Sequence, residues 1–112
     1  MDITEEKRGD VMLLGIKGRL DASTASKLEE KLLAIIDGGE RRLALDCSQL
    51  AYISSAGLRV LLVAVKRLSS SNGKIVLCAL KDQIKEVFDI AGFSPLFPAF
   101  PTQEEALKSF NQ

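Results

Sequence analysis

The feature that most narrows the fold is a regular alternation along the chain. Short runs of branched apolar residues alternate with longer segments whose apolar residues recur every three or four positions. Breaks rich in glycine, serine or asparagine separate them. Val11 to Lys17 (VMLLGIK), Arg42 to Asp46 and Lys74 to Leu80 (KIVLCAL) read as strands. Between the first two, Leu28, Leu32, Leu33, Ile35 and Ile36 fall near helical spacing, with Lys27, Glu29, Glu30 and Lys31 on the other side. Asp21 or Ser23 is expected to cap this helix, because a side-chain oxygen there accepts from a free first-turn amide. Asp37-Gly38-Gly39 stops it. Ser48 to Ser54 is expected to be a loop containing one apolar turn, Leu50 to Ile53. Ser55-Ala56-Gly57 then opens a second helix to about Leu68, ended by Ser69 to Gly73. Asp82 to Ala91 reads as a third, with Ile84, Val87, Phe88 and Ile90 turned inward. Strands that alternate with helices imply a mostly parallel sheet with right-handed crossovers.

The two ends add to this frame. Lys7-Arg8-Gly9-Asp10 reads as a hairpin turn, which gives the sheet an antiparallel edge. Phe93 to Pro101 carries three prolines and supplies at most a short edge strand. Phe97 and Phe100 are expected to be hard to bury completely, and an apolar patch there would favour self-association. Thr102-Gln103-Glu104-Glu105 matches a capping box, followed by a last helix to about Phe110. The expectation is an α/β fold in a single domain over residues 1–112. It has a four- to five-stranded, mostly parallel sheet with an antiparallel N-terminal hairpin and about four helices.

Composition excludes several functions. Fifteen basic residues balance fifteen acidic ones, so no basic field exists to hold nucleic acid or anionic lipid. Histidine is absent, which removes Ser-His-Asp and Cys-His nucleophile pairs and every His-ligated metal site. Cys47 and Cys78 each sit inside an apolar run and read as buried free thiols, with a disulfide as the alternative. Leu58 to Leu68 is interrupted by three cations and falls short of the ~20 apolar residues of a membrane span. The N-terminus is charged, without an apolar signal core, so cytoplasm is the default location. No metal site, cofactor or catalytic pairing is expected.

One segment stands apart, Asp46 to Leu62, running from a strand end to a helix start. Functional groups gather outside the carboxyl ends of parallel strands. A helix N-terminus there offers free amides that suit an anion. The small residues Ser54, Ser55, Ala56 and Gly57 would let another molecule approach the backbone. The plainer alternative is that Ser54 or Ser55 caps the helix and Gly57 allows tight packing. Arg59, one turn on, is a candidate to hold a partner's carboxylate or phosphate, or simply to face solvent.

This segment resembles the signature of the STAS family, in particular bacterial anti-sigma factor antagonists. Those read Asp-x-Ser-x-Leu/Val-x-Tyr/Phe-Met/Ile-Asp-Ser-Ser/Thr/Ala-Gly-Leu, and the frame stands here from Asp46 to Leu58. Gly18-Arg19-Leu20-Asp21 resembles the family's Gly-x-Leu/Ile-Asp. The resemblance places the phosphorylated serine at Ser55 and an acidic position at Ser54, where this chain departs from the family. It implies a partner-binding surface of Asp21, Asp46, Ser54, Ser55, Ala56, Gly57 and Arg59. It also implies a partner switch, with a serine kinase anti-sigma factor that binds the unphosphorylated form and a metal-dependent serine phosphatase that reverses the modification. The protein would then be a monomer when free, a substrate and ligand without catalysis of its own. With Ser54 in the acidic position, a STAS scaffold or adaptor in another signalling or secretion system stands beside that reading.

Overall fold

The computed structural model describes residues 1–111; position 112, the last residue of the expected domain, lies outside them. Five strands form one sheet in the order β1 to β5, which is also their chain order. β1 (Asp2–Arg8) turns back through Gly9-Asp10 into β2 (Val11–Leu20) and pairs with it antiparallel. β3 (Arg42–Ile53), β4 (Lys74–Cys78) and β5 (Ala99–Phe100) continue the sheet in parallel. Three helices cross between them: α1 (Ala25–Asp37), α2 (Ser55–Ser69) and α3 (Asp82–Ile90). Each crossover steps one strand in the same direction. Right-handed connections of that kind put every helix on the same face, and Leu28, Leu32, Leu61, Leu68, Ile84 and Phe88 accordingly share one core with Leu14, Leu45 and Leu77.

The short α4 (Gln103–Lys108) covers part of the opposite face, where Ala106 meets Val11, Leu13, Ala44, Val76 and Cys78. This explains the uninterrupted apolar runs. Leu43 and Leu45 face one layer and Ala44 the other; Ile75 and Leu77 face one and Val76 and Cys78 the other. Strands buried on both faces lose the polar alternation of half-exposed ones. β1 is the outer edge, and almost all of its side chains are exposed.

Four expectations need correction. Ser48 to Ser54 is not a loop: β3 runs through to Ile53. The ladder to β2 shifts register twice, with Gly15 opposite Asp46, Lys17 opposite Gln49, and Gly18 and Arg19 opposite Leu50 and Tyr52. Each shift inserts one extra residue in β3, as a β-bulge does. Cys47, Leu50 and Ile53 therefore all reach the same core at a spacing of three, a period that resembles neither strand nor helix. The cap of α1 is Thr24, without a side-chain cap bond, while Asp21 and Ser23 form the turn before it. Ile90 is 80% exposed rather than inward, because nine-residue α3 buries only the narrow stripe of Ile84 and Phe88. Phe97 is buried, edge-to-face with Phe88 at 5.5 Å between centroids. The prolines flanking it leave Leu96 in the exposed position instead.

Cys47 and Cys78 are free and buried, and burial pushes both thiols above their ordinary pKa. No helix among the described residues is long and apolar enough to cross a membrane.

Candidate functional site

The carboxyl ends of β2 and β3 come together where α1 and α2 begin. The Ser54 amide donates to the Leu20 carbonyl oxygen at 2.9 Å, which ties the β3–α2 junction to the β2–α1 turn. Ser54 is the N-cap of α2: its extended backbone breaks the helix, its Oγ accepts from the Gly57 amide at 3.4 Å, and its carbonyl accepts from Leu58 at 3.0 Å. One junction residue thus serves the local helix and the tertiary contact.

Ser55 follows as the first residue of α2. It is exposed, and its hydroxyl makes no hydrogen bond among the described residues. Capping and exposure are therefore divided between two adjacent serines. Ala56 is half-buried. Gly57 is buried, and a Cβ added there would sit 2.7 Å from Leu20 Cγ and 3.0 Å from Ile53 Cγ1. The space that its missing side chain leaves belongs to Leu20, not to an approaching molecule. Arg59 lies one turn on, exposed and without an ion pair or hydrogen bond among the described residues.

Asp21 stands at the facing turn. Its carboxylate accepts from the Ser23 amide at 3.0 Å and from Ser23 Oγ at 2.7 Å, and Arg19 Nε lies 3.5 Å from it. The hydrogen bonds from Ser23, with smaller help from Thr24 and Arg19, hold its carboxyl below the usual carboxylate range. Thr24 Oγ1 donates to the Arg19 carbonyl at 2.8 Å and closes the turn.

Asp46 is not brought to this rim. It pairs with Gly15, five residues before Leu20 on β2. At ~3.3 Å per strand residue that is about 16 Å away. Its carboxylate accepts from the Ser48 amide at 3.0 Å and from Gln103 Nε2 at 3.2 Å, an anchor for α4. The resemblance grouped it with Ser55, but a continuous strand separates the two.

Two residues of the rim escape a reading by sequence. Arg19 and Tyr52 are register partners, and the guanidinium carbon lies 4.1 Å from the ring centroid. Each belongs to a motif segment, but only the second bulge sets them opposite one another.

Comparison with known proteins gives the chain its family and agrees with its fold. A family model described as STAS domain matches residues 2–106. BtrV of Bordetella bronchiseptica, named as a candidate anti-sigma factor antagonist, is 42% identical over 110 residues, 98% of this chain and 95% of its own length. A Thermotoga maritima structure, also titled as a candidate anti-sigma factor antagonist, superposes with TM-score 0.94 at 20% identity over 98% of this chain and 95% of its own. The anti-sigma factor antagonist SpoIIAA, solved unphosphorylated, gives TM-score 0.75 at 19% identity over 98% of both chains. The phosphorylated form of the Bacillus protein gives 0.76 at 20%, over 97% of this chain and 99% of its own. The chain belongs to the STAS domain family. Relatives within it that carry the name anti-sigma factor antagonist include BtrV and, at 30% identity over 82% of this chain and 81% of its own length, a Listeria monocytogenes protein named as an anti-sigma-B factor antagonist.

Proposed function

We propose that the chain is a phospho-switched antagonist: unphosphorylated, it docks on a serine kinase anti-sigma factor through the rim around Ser55, and phosphorylation of Ser55 by that kinase ends docking. A metal-dependent serine phosphatase would restore the docking form, in the cytoplasm. The protein serves as substrate and ligand, not as catalyst. The observation that carries this reading is the bare Ser55 hydroxyl, exposed at the first position of α2 while Ser54 takes over the cap.

The physics of the switch is local. A phosphoserine carries about −1.5 to −2 charges at pH 7. Added at Ser55 it alters the rim's charge without disturbing the core, since nothing in the fold depends on that hydroxyl. Desolvating such a charge at an interface, or facing it with a like charge, costs roughly 2–5 kcal/mol, a loss of about 30-fold or more in affinity. That is enough to reverse a competition between partners.

The test is site mapping of protein purified from its native host, followed by calorimetry with the kinase it copurifies with. One phosphate at Ser55, absent from Ser55→Ala, and weaker docking of Ser55→Asp are expected. Unchanged affinity of Ser55→Asp would reject the charge mechanism. Ser54, neutral where the family signature has a carboxylate, favours a second reading as a scaffold in another signalling system. A pull-down that recovers a kinase but never a sigma factor would select it.

A further inference from the structure

Resting on that reading, we infer that Arg59 is a positioning residue for the modified state: it captures the phosphate on Ser55, and in doing so withdraws its own charge from the docking surface. Phosphorylation then changes the rim twice, by adding an anion and by removing a free cation.

Three observations carry this. The first is spacing. Ser55 and Arg59 are four residues apart on α2, so they share one face with ~5–6 Å between Cβ atoms. Side chains on a helix lean toward its N-terminus, so Arg59 leans back over Ser55. An anion N-terminal to a cation is also the favourable order for such a pair. The second is availability. Arg59 is exposed and has no partner among the described residues, whereas Arg19 is held between Asp21 and the Tyr52 ring. The third is lack of competition. The first turn of α2 contains no acidic residue, and Ser54 before it is neutral. Asp21, the acid of the facing turn, already accepts from Ser23. The planar fork of arginine matches two phosphate oxygens at once.

The experiment uses the full chain with phosphoserine introduced at position 55 by genetic encoding, beside the same protein carrying Arg59→Gln or Arg59→Lys. Phosphorus NMR follows the second ionisation of the phosphate, ordinarily near pH 6, and nitrogen NMR follows the Arg59 Nε–H. The wild type is expected to ionise about 0.2–0.4 pH unit lower than Arg59→Gln, the size of a surface helix pair. Arg59→Lys should recover part of that shift, and the Nε–H signal should move on phosphorylation. Identical ionisation in wild type and Arg59→Gln, with an unmoved Nε–H, would overturn the inference. Docking of the same samples keeps the two ideas apart. If phosphoserine abolishes docking while the NMR shows no pairing, only the role of Arg59 falls. If the phosphorylated chain docks as well as the unmodified one, the switch itself falls.

Discussion

The two halves of β3 are built for different work. Residues 43–46 have ladder partners in both β2 and β4, and Leu43, Ala44 and Leu45 are fully buried. Residues 47–53 pair with β2 alone, shift register twice on the way, and expose Ser48, Gln49, Ala51 and Tyr52. The first half is scaffold. The second is an arm, fastened by every third side chain, that delivers the Ser54–Ser55 junction to the edge of the molecule. Stability should therefore be concentrated at the base, and presentation of Ser55 at the tip.

The largest effect tests the base. Leu45→Ala removes a fully buried side chain between two ladders, and should cost about 2–5 kcal/mol in denaturant unfolding; a loss below ~1 kcal/mol would show that the base is not the more rigid half. Next comes the tip. In Gly57→Ala the new methyl meets Leu20, and the strain should cost about 1–3 kcal/mol while also weakening partner docking. A fully stable variant with normal docking would mean that the α2–β2 contact adjusts freely. Ser54→Ala removes the cap and should cost about 0.5–2 kcal/mol, toward the lower figure because the bond is 3.4 Å long. Amide exchange in the first turn of α2 should rise while residues 42–46 keep their protection. The smallest effect concerns pH. Hydrogen bonds lower the carboxyl of Asp21 below its ordinary 3.8, so whatever stability they lend is present above that value. It fades as pH falls through the lower value of the folded state. The difference between wild type and Asp21→Asn should therefore exist at neutral pH and disappear in strong acid; a difference that grew on acidification would reverse the assignment.

The same contrast explains what could be read in advance. α1, the base of β3 and β4 follow regular periods and are set off by the breaks at Gly38-Gly39 and Ser69 to Gly73, so the α/β alternation was legible from pattern alone. The arm was not. Two bulges turn the strand period into one of three, and Cys47, Leu50 and Ile53 then resemble a loop with an apolar turn. The resemblance counted Asp46 among the rim residues, whereas the extended strand holds it about 16 Å off. Ser54, Ser55 and Asp21 were found through motif spacing. Which serine caps and which stays free depends on a backbone turn that no spacing encodes. The Arg19–Tyr52 stack was illegible for a related reason, since it exists only through the altered register.

The outer strand has a consequence of its own. β1 leaves one row of amides and carbonyls unpaired, and Asp2, Glu5, Glu6, Lys7 and Arg8 surround that row with charge. A stray strand adding itself there would have to strip water from several ions to gain a few main-chain bonds. At the opposite border, two-residue β5 lies between Pro98 and Pro101 and offers little length to copy. The sheet is thus closed to sideways growth at both borders, and fibrillar stacking of the native fold meets a barrier before it begins.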